Sequence, residues 1–279
     1  MTAIGRRIAG PGVRRLRREW QWRRCGASLV LGRAPAEGFG YPVAMHATPV
    51  FRRLAGVDQR LQRNKAVNLS LACARLDSLV LAPGQRFSFW WHVGRPSARR
   101  GYLPGVVLDH GRLVEGTGGG LCQLTNLVYW MTLHTPLTVV ERWRHSHDVF
   151  PDVGRTQPFG TGATCAWPVL DLQIENTTNT SFRLGLRVAG GRLLGEWTAD
   201  APVLTGYQVY EAGHRMTNDA PGTFFRRNVI RRRVLDASGR EVADELVAVN
   251  QALMMYQPFL DGRPGADHQP GVDDAPETP

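Results

Sequence analysis

The period of the apolar residues changes several times along the chain, and each change marks an element. Between residues 52 and 80 they recur at helical spacing, with Val67, Leu71, Ala74 and Leu79 among the positions expected on a buried stripe. Pro83-Gly84 stops that helix. Residues 85–90 then read as a strand, and 105–108 and 111–114 as a hairpin around Asp109-His110. Leu121, Leu124, Leu127, Val128 and Met131 return to the i, i+3, i+4 rule, so a helix begins at or next to Cys122 and ends before Pro136. Further strands are expected at 137–142, 169–175, 182–188 and 192–197, the last two as a hairpin across Ala189-Gly-Gly191.

After about residue 200 the pattern becomes long and strand-like, at 206–211, 227–235 and 241–249, with the last two joined by a turn at 236–239. The expected architecture is α+β, helices packed on a mainly antiparallel sheet over residues 51–200. A β-hairpin extension follows at 201–261, more an appendage than a chemical site, and Pro, Gly and Asp mark 262–279 as a disordered tail. Residues 1–50 carry enough Gly, Pro and Arg punctuation to predict an irregular basic leader.

Composition adds little to that picture, since 43% hydrophobic and 21% charged residues describe an ordinary globular protein. Charge adds more. Of the net +10, residues 1–24 hold +7, from eight arginines against Glu19, and the body is nearly balanced. Three readings of the leader stay open: a solvated segment, a nucleic-acid arm, and an anionic membrane surface contacted by residues 13–24, where Trp20 and Trp22 would settle at the interface. No basic stripe with interleaved aromatics recurs in the body, so no nucleic-acid partner is expected. Arg6-Arg7 lacks the apolar stretch of an export signal, and no segment approaches the ~20 apolar residues of a membrane span. The expectation is a cytoplasmic protein, or one peripheral at the inner membrane face.

The four cysteines, at 25, 73, 122 and 165, show no metal-ligand or CxxC spacing, so neither a metal site nor a disulfide framework is expected. Cys73 and Cys165 read as core and Cys25 as an exposed leader residue. Cys122 stands apart because Gly118, Gly119 and Gly120 precede it. Glycines there let the backbone turn tightly and approach a substrate, and a thiol at a helix N-terminus meets amides and a dipole that favour the thiolate. A base is available in His145 or His147, at the end of the following strand, in the nucleophile-helix-then-histidine order of papain-like and transglutaminase-like folds. Asp171 is the candidate third member, with Asp148 closer in sequence to the histidines. The bland reading also holds at this stage: glycine turns are common, and a cysteine on an apolar helix is usually packing. His92, beside Trp90 and Trp91, reads as an aromatic-cluster residue, and His134 as a helix C-terminal cap.

Five blocks carry a family resemblance: 68–72, 81–89 with Val93-Gly94, Gly118-Gly-Gly-Leu-Cys-Gln123, 141–145, and 171–176. Their order and spacing resemble the VanW domain, over most of residues 50–200. The resemblance implies a role in cell-wall biology and glycopeptide resistance, with exported members implicated in peptidoglycan L,D-transpeptidation through the motif cysteine. Carried over, it implies Cys122 as nucleophile, His145 as base, the three glycines as a cradle and Gln123 as an oxyanion or substrate contact. His147 remains a competing base or substrate contact. The chain departs from the family at 160–164, where Gly162 stands in place of a common aspartate.

Two function readings follow. One is a cysteine-dependent acyl transferase or amidase acting on peptidoglycan stem peptides or their precursors, needing no metal or organic cofactor. The other is a non-catalytic accessory that binds peptidoglycan precursors or resistance enzymes through the same cleft.

Overall fold

The computed structural model describes residues 10–29, 31–51, 58–109, 112–145, 147–148, 157–220 and 222–256. Its architecture is α+β with mainly antiparallel sheets. The segment expected to be an irregular leader is instead structured where described. It forms α1 (Pro11–Cys25), β1 (Gly32–Arg33) and β2 (Tyr41–Pro49). Helix α1 is anchored by a charged residue rather than an apolar stripe. Arg18 is buried and donates to both carboxylate oxygens of Glu141 at 2.7 and 2.6 Å, and to the carbonyls of Pro168 and Val169. Trp22 is buried beside it and donates to Ser88 Oγ at 3.1 Å.

Helix α2 (Gln59–Leu76) starts at Asp58, whose carboxylate accepts from the Arg60 amide. Its inward stripe is Leu69, Ala72, Cys73 and Leu76, rotated from the expected one, for Val67 and Ala74 face solvent. The rotation follows from Asn68, a fully buried residue that hydropathy places outside. It donates to the carbonyls of Leu103 and Gly119 and accepts from the Leu103 amide, so the helix turns a polar residue inward to staple two loops.

Strands β3 (Leu79–Leu81), β10 (Phe182–Ala189) and β11 (Arg192–Ala199) join β1 and β2 in a five-stranded antiparallel sheet of order β1-β3-β10-β11-β2. A three-stranded sheet holds β4 (Arg86–Ser88), β9 (Gln173–Glu175) and β7 (Thr138–Glu141) in the order β4-β9-β7. The run expected to be a strand through Trp90 turns after Ser88 into the short helix α3 (Phe89–Val93), because Ser88 Oγ accepts from the Trp91 amide and Asp171 from the Trp90 amide. The hairpin β5 (Pro104–Asp109) and β6 (Arg112–Thr117) pairs as expected.

Helix α4 (Cys122–Thr132) buries Leu124, Leu127, Val128 and Met131 against the five-stranded sheet. A side chain at Gly195 of β11 would collide with Met131 and Leu127, so glycine there sets how closely helix and sheet approach. His134 packs against Trp130 and hydrogen-bonds the Tyr207 carbonyl at 3.2 Å instead of capping α4. His92 stacks on Phe87, as expected of an aromatic cluster.

The C-terminal part is larger than a hairpin. Strands β12 (Gly206–Ala220), β13 (Thr223–Leu235) and β14 (Glu241–Met254) form an antiparallel meander, and β8 (His147–Asp148) adds to its edge in parallel. The tail expected to be disordered, 262–279, lies outside the described residues.

Candidate active site

Three segments converge on Cys122. The first is the glycine turn and the start of α4, whose first helical residue is Cys122 itself. Gly118 and Gly120 have φ of 78° and 94°, in the left-handed region that favours glycine. Gly119 lies against β5, where a Cβ would come within 2.1 Å of the Gly105 carbonyl carbon. The glycines therefore serve packing. Gly118 and Gly119 are buried, and the stem of Lys65 covers the place a side chain at Gly120 would take, which corrects the expectation of three glycines open to substrate. No side chain caps α4, and the amides of Gly120, Leu121 and Cys122 meet no acceptor among the described residues.

The second segment, 160–165, is clamped onto the first turn of α4. Thr125 Oγ1 donates to the Ala163 carbonyl at 2.6 Å, and Asn126 Oδ1 accepts from the Ala163 amide at 2.6 Å. This clamp puts the Cys165 thiol 3.8 Å from the Cys122 sulfur, while Cys122 Sγ lies 3.6 Å from the Cys165 carbonyl. Cys165, expected to be core, is thus a direct partner of the candidate nucleophile. No signal in the sequence pairs two cysteines 43 residues apart without a motif.

The third segment, leading from β7 through Arg142 to His145, is stapled to the second. Arg142 donates to the carbonyls of Gly162 and Gly160, and the Thr164 amide donates to the Trp143 carbonyl at 2.8 Å. It brings the His145 side chain within electrostatic reach of the Cys122 thiol. The Cys122 pKa is held well below its ordinary value, chiefly by the hydrogen bond from the Cys165 thiol and, after the opposing effect of burial, by His145. Cys165 moves the other way, because burial and the neighbouring Cys122 sulfur both disfavour a second thiolate. Cys73, on the buried face of α2, is pushed up to about 12 by burial and is a core thiol as expected.

The remaining candidates go elsewhere. Asp171 does not reach His145; it is fully buried and accepts from Ser88 Oγ at 2.6 Å, the Trp90 and Leu172 amides at 3.0 Å, and Gln173 Nε2 at 3.2 Å. It holds α3 and β9 together under α1. Gln123 is also committed, its side-chain amide donating to Thr48 Oγ1 and the Pro49 carbonyl at the end of β2, which removes it as an oxyanion donor. His147 belongs to β8, its backbone paired with Leu253, and it is not among the groups acting on Cys122. Asp148 accepts from Arg226 and Tyr256 in the C-terminal sheet. Among the described residues no carboxylate bonds His145, and no cluster of side chains has metal-binding geometry.

Fold and site together define an α+β protein that presents a cysteine and a histidine to one another at an uncapped helix N-terminus. The family model described as VanW like protein matches residues 64–198, from α2 to β11, and the chain belongs to the VanW family. It is 28% identical over 207 residues to the vancomycin B-type resistance protein VanW of Enterococcus faecalis, covering 74% of this chain and 75% of that one. It is 30% identical over 132 residues to the uncharacterized protein YoaR of Bacillus subtilis, covering 47% and 42%. No solved structure matches the chain.

Proposed function

We propose that this protein is a cell-wall enzyme that transfers or hydrolyses acyl groups through Cys122, acting on D-amino-acid-containing peptidoglycan stem peptides or their precursors, in the manner of an L,D-transpeptidase or an amidase. The observation that carries the reading is Cys122 at the uncapped N-terminus of α4, with the Cys165 thiol 3.8 Å from its sulfur and His145 within electrostatic reach. The reading takes the order of nucleophile helix and then histidine in the sense expected of papain-like and transglutaminase-like acyl transferases. The resistance role in the name of the Enterococcus relative supports a cell-wall substrate.

In the proposed cycle the Cys122 thiolate attacks an amide carbonyl of the stem, forming a C–S bond and a tetrahedral oxyanion. In this cycle the amides of Leu121 and Cys122, which meet no acceptor among the described residues, serve as donors to that charge. Protonated His145 gives its proton to the departing amine, the C–N bond breaks, and a thioester remains. An incoming amine or water, deprotonated by neutral His145, then attacks the thioester and releases Cys122.

The test is intact-mass analysis of the full chain incubated with synthetic stem peptides. An acyl adduct that disappears in Cys122→Ser and accumulates slowly in His145→Ala supports the cycle. Absence of both adduct and product, together with peptide binding that survives Cys122→Ser, would replace it with the accessory reading.

A further inference from the structure

Helix α1 is mounted with its apolar side outward. Its inward face carries Arg18 and Trp22, both buried, while Val13, Leu16 and Trp20, spaced i, i+3 and i+7, are 58%, 65% and 57% exposed. A surface helix of a globular protein normally turns such a stripe to the core. Here the body is gripped by a guanidinium, and the stripe is left to face whatever lies beyond.

The flanks of the stripe are cationic. Arg17 falls on one side and Arg23 on the other, and the Arg24 guanidinium lies 4.6 Å over the Trp20 ring. Arg15 is paired with Glu19 and Arg18 with Glu141, but Arg14, Arg17, Arg23 and Arg24 make no ion pair with any described residue. The apolar patch extends past Trp20 into a shallow depression with Val140, edged by Arg24 and Arg86. No described helix is long and apolar enough to cross a membrane, and fifteen residues of helix span only ~22 Å.

We propose that the outer face of α1 docks flat on an anionic phospholipid surface. Val13, Leu16 and Trp20 enter the headgroup–acyl boundary, and Arg14, Arg17, Arg23 and Arg24 meet lipid phosphates. Charge complementarity selects this occupant over a protein partner: four unpaired guanidiniums around a narrow apolar stripe fit a phosphate plane over an apolar layer. Nucleic acid would satisfy the arginines but leave Leu16 and Val13 in water. The inward face passes the position of the surface to the site, because Arg18 holds Glu141, the last residue of β7, four residues before His145. Helix α1 lies outside the segment matched by the family model, and the proposed surface does not rest on the proposed chemistry.

The test is co-sedimentation of the full chain with phosphatidylcholine vesicles, with and without phosphatidylglycerol. Binding is expected only with phosphatidylglycerol present, and is expected to fall as salt rises. Arg17→Gln, Arg23→Gln and Arg24→Gln together should weaken partitioning about a hundredfold, at about fivefold per charge. Leu16→Glu with Trp20→Glu should abolish it. All five side chains point outward, so circular dichroism and the Cys122 alkylation rate should stay at wild-type values. The proposal falls if the chain ignores anionic vesicles, or if these variants bind them as wild type does. It falls equally if the face instead drives dimerisation in light scattering, or if a nucleic-acid duplex competes fully with the vesicles.

Discussion

Asp171→Asn separates an anchoring carboxylate from a catalytic one. Burial raises the Asp171 pKa from its ordinary 3.8 to about 6, against the opposing hydrogen bonds of Ser88 and the Trp90 amide and the charge of Arg18. A carboxyl with a folded pKa above its unfolded one binds its proton more tightly when folded, so ionisation destabilises the fold. Its contribution to stability is greatest below pH 3.8, declines through the window from 3.8 to about 6, and is lowest above it. With each pKa unit worth about 1.4 kcal/mol, the decline amounts to about 3 kcal/mol. Asparagine keeps the carbonyl that accepts from the Trp90 and Leu172 amides and gives up the oxygen that accepts from Ser88 Oγ and Gln173 Nε2, a loss that does not vary with pH, while the charge is removed. The assay is urea unfolding of wild type and variant across pH 4 to 7.5. Carboxylates such as Asp58, Asp219 and Asp244, whose pKa values are lowered, give the opposite slope, and the difference between the two proteins cancels them. Wild-type stability relative to the variant should fall by about 2 kcal/mol over that range. A flat or rising difference would refute the dominance of burial. Loss of the His145 effect on Cys122 alkylation in the variant would restore Asp171 to a triad.

Three further perturbations address the site and its supports. Gly119→Ala forces a Cβ against the β5 backbone, which no rotamer relieves, and should cost about 3 kcal/mol in denaturant unfolding; a loss under about 0.5 kcal/mol would contradict the close approach. Dilute hydrogen peroxide should oxidise the Cys122 thiolate to a sulfenic acid, which the Cys165 thiol 3.8 Å away displaces with loss of water to give a disulfide. Peptide mapping should find that cross-link; Cys165→Ser should abolish it and slow Cys122 alkylation at neutral pH, and an unchanged rate would discount the thiol–thiol hydrogen bond. Arg18→Met leaves Glu141 without its guanidinium and should destabilise the protein by about 3 kcal/mol in thermal or urea unfolding, largely recovered by adding Glu141→Gln. A neutral single variant would show that α1 is held by Trp22 alone.

The elements visible in the sequence were those whose burial follows hydropathy. Helix α4, the hairpin of β10 and β11 and the long C-terminal strands all present apolar residues at the period of their own backbone. Elements held by polar groups were hidden. Helix α1 buries an arginine, α2 is rotated by Asn68, and α3 converts an aromatic strand-like run into a helix through caps supplied by Ser88 and Asp171. Strand β2 was masked by its prolines, Pro42 and Pro49, which an edge strand tolerates. At the site, local pattern located Cys122, and the family motif singled out His145. Cys165 and the commitments of Gln123 and Asp171 depend on contacts between segments far apart in the chain, which no local pattern encodes.

The replacement of the family's common aspartate by Gly162 and the presence of Cys165 three residues later bear on one another. With glycine at 162 a Cβ would stand 2.9 Å from Asn126 Oδ1, so the space a side chain would take is filled by the asparagine that holds Ala163. No described carboxylate then orients His145, and an imidazole without one is a weaker base toward a thiol at its ordinary pKa. Cys165 removes part of that demand. By donating to the Cys122 sulfur it stabilises the thiolate directly, so in the proposed cycle His145 need only supply the proton that the leaving amine takes. The proposed activity depends on keeping both cysteines reduced, and should fall with oxidation at the same rate as the disulfide forms.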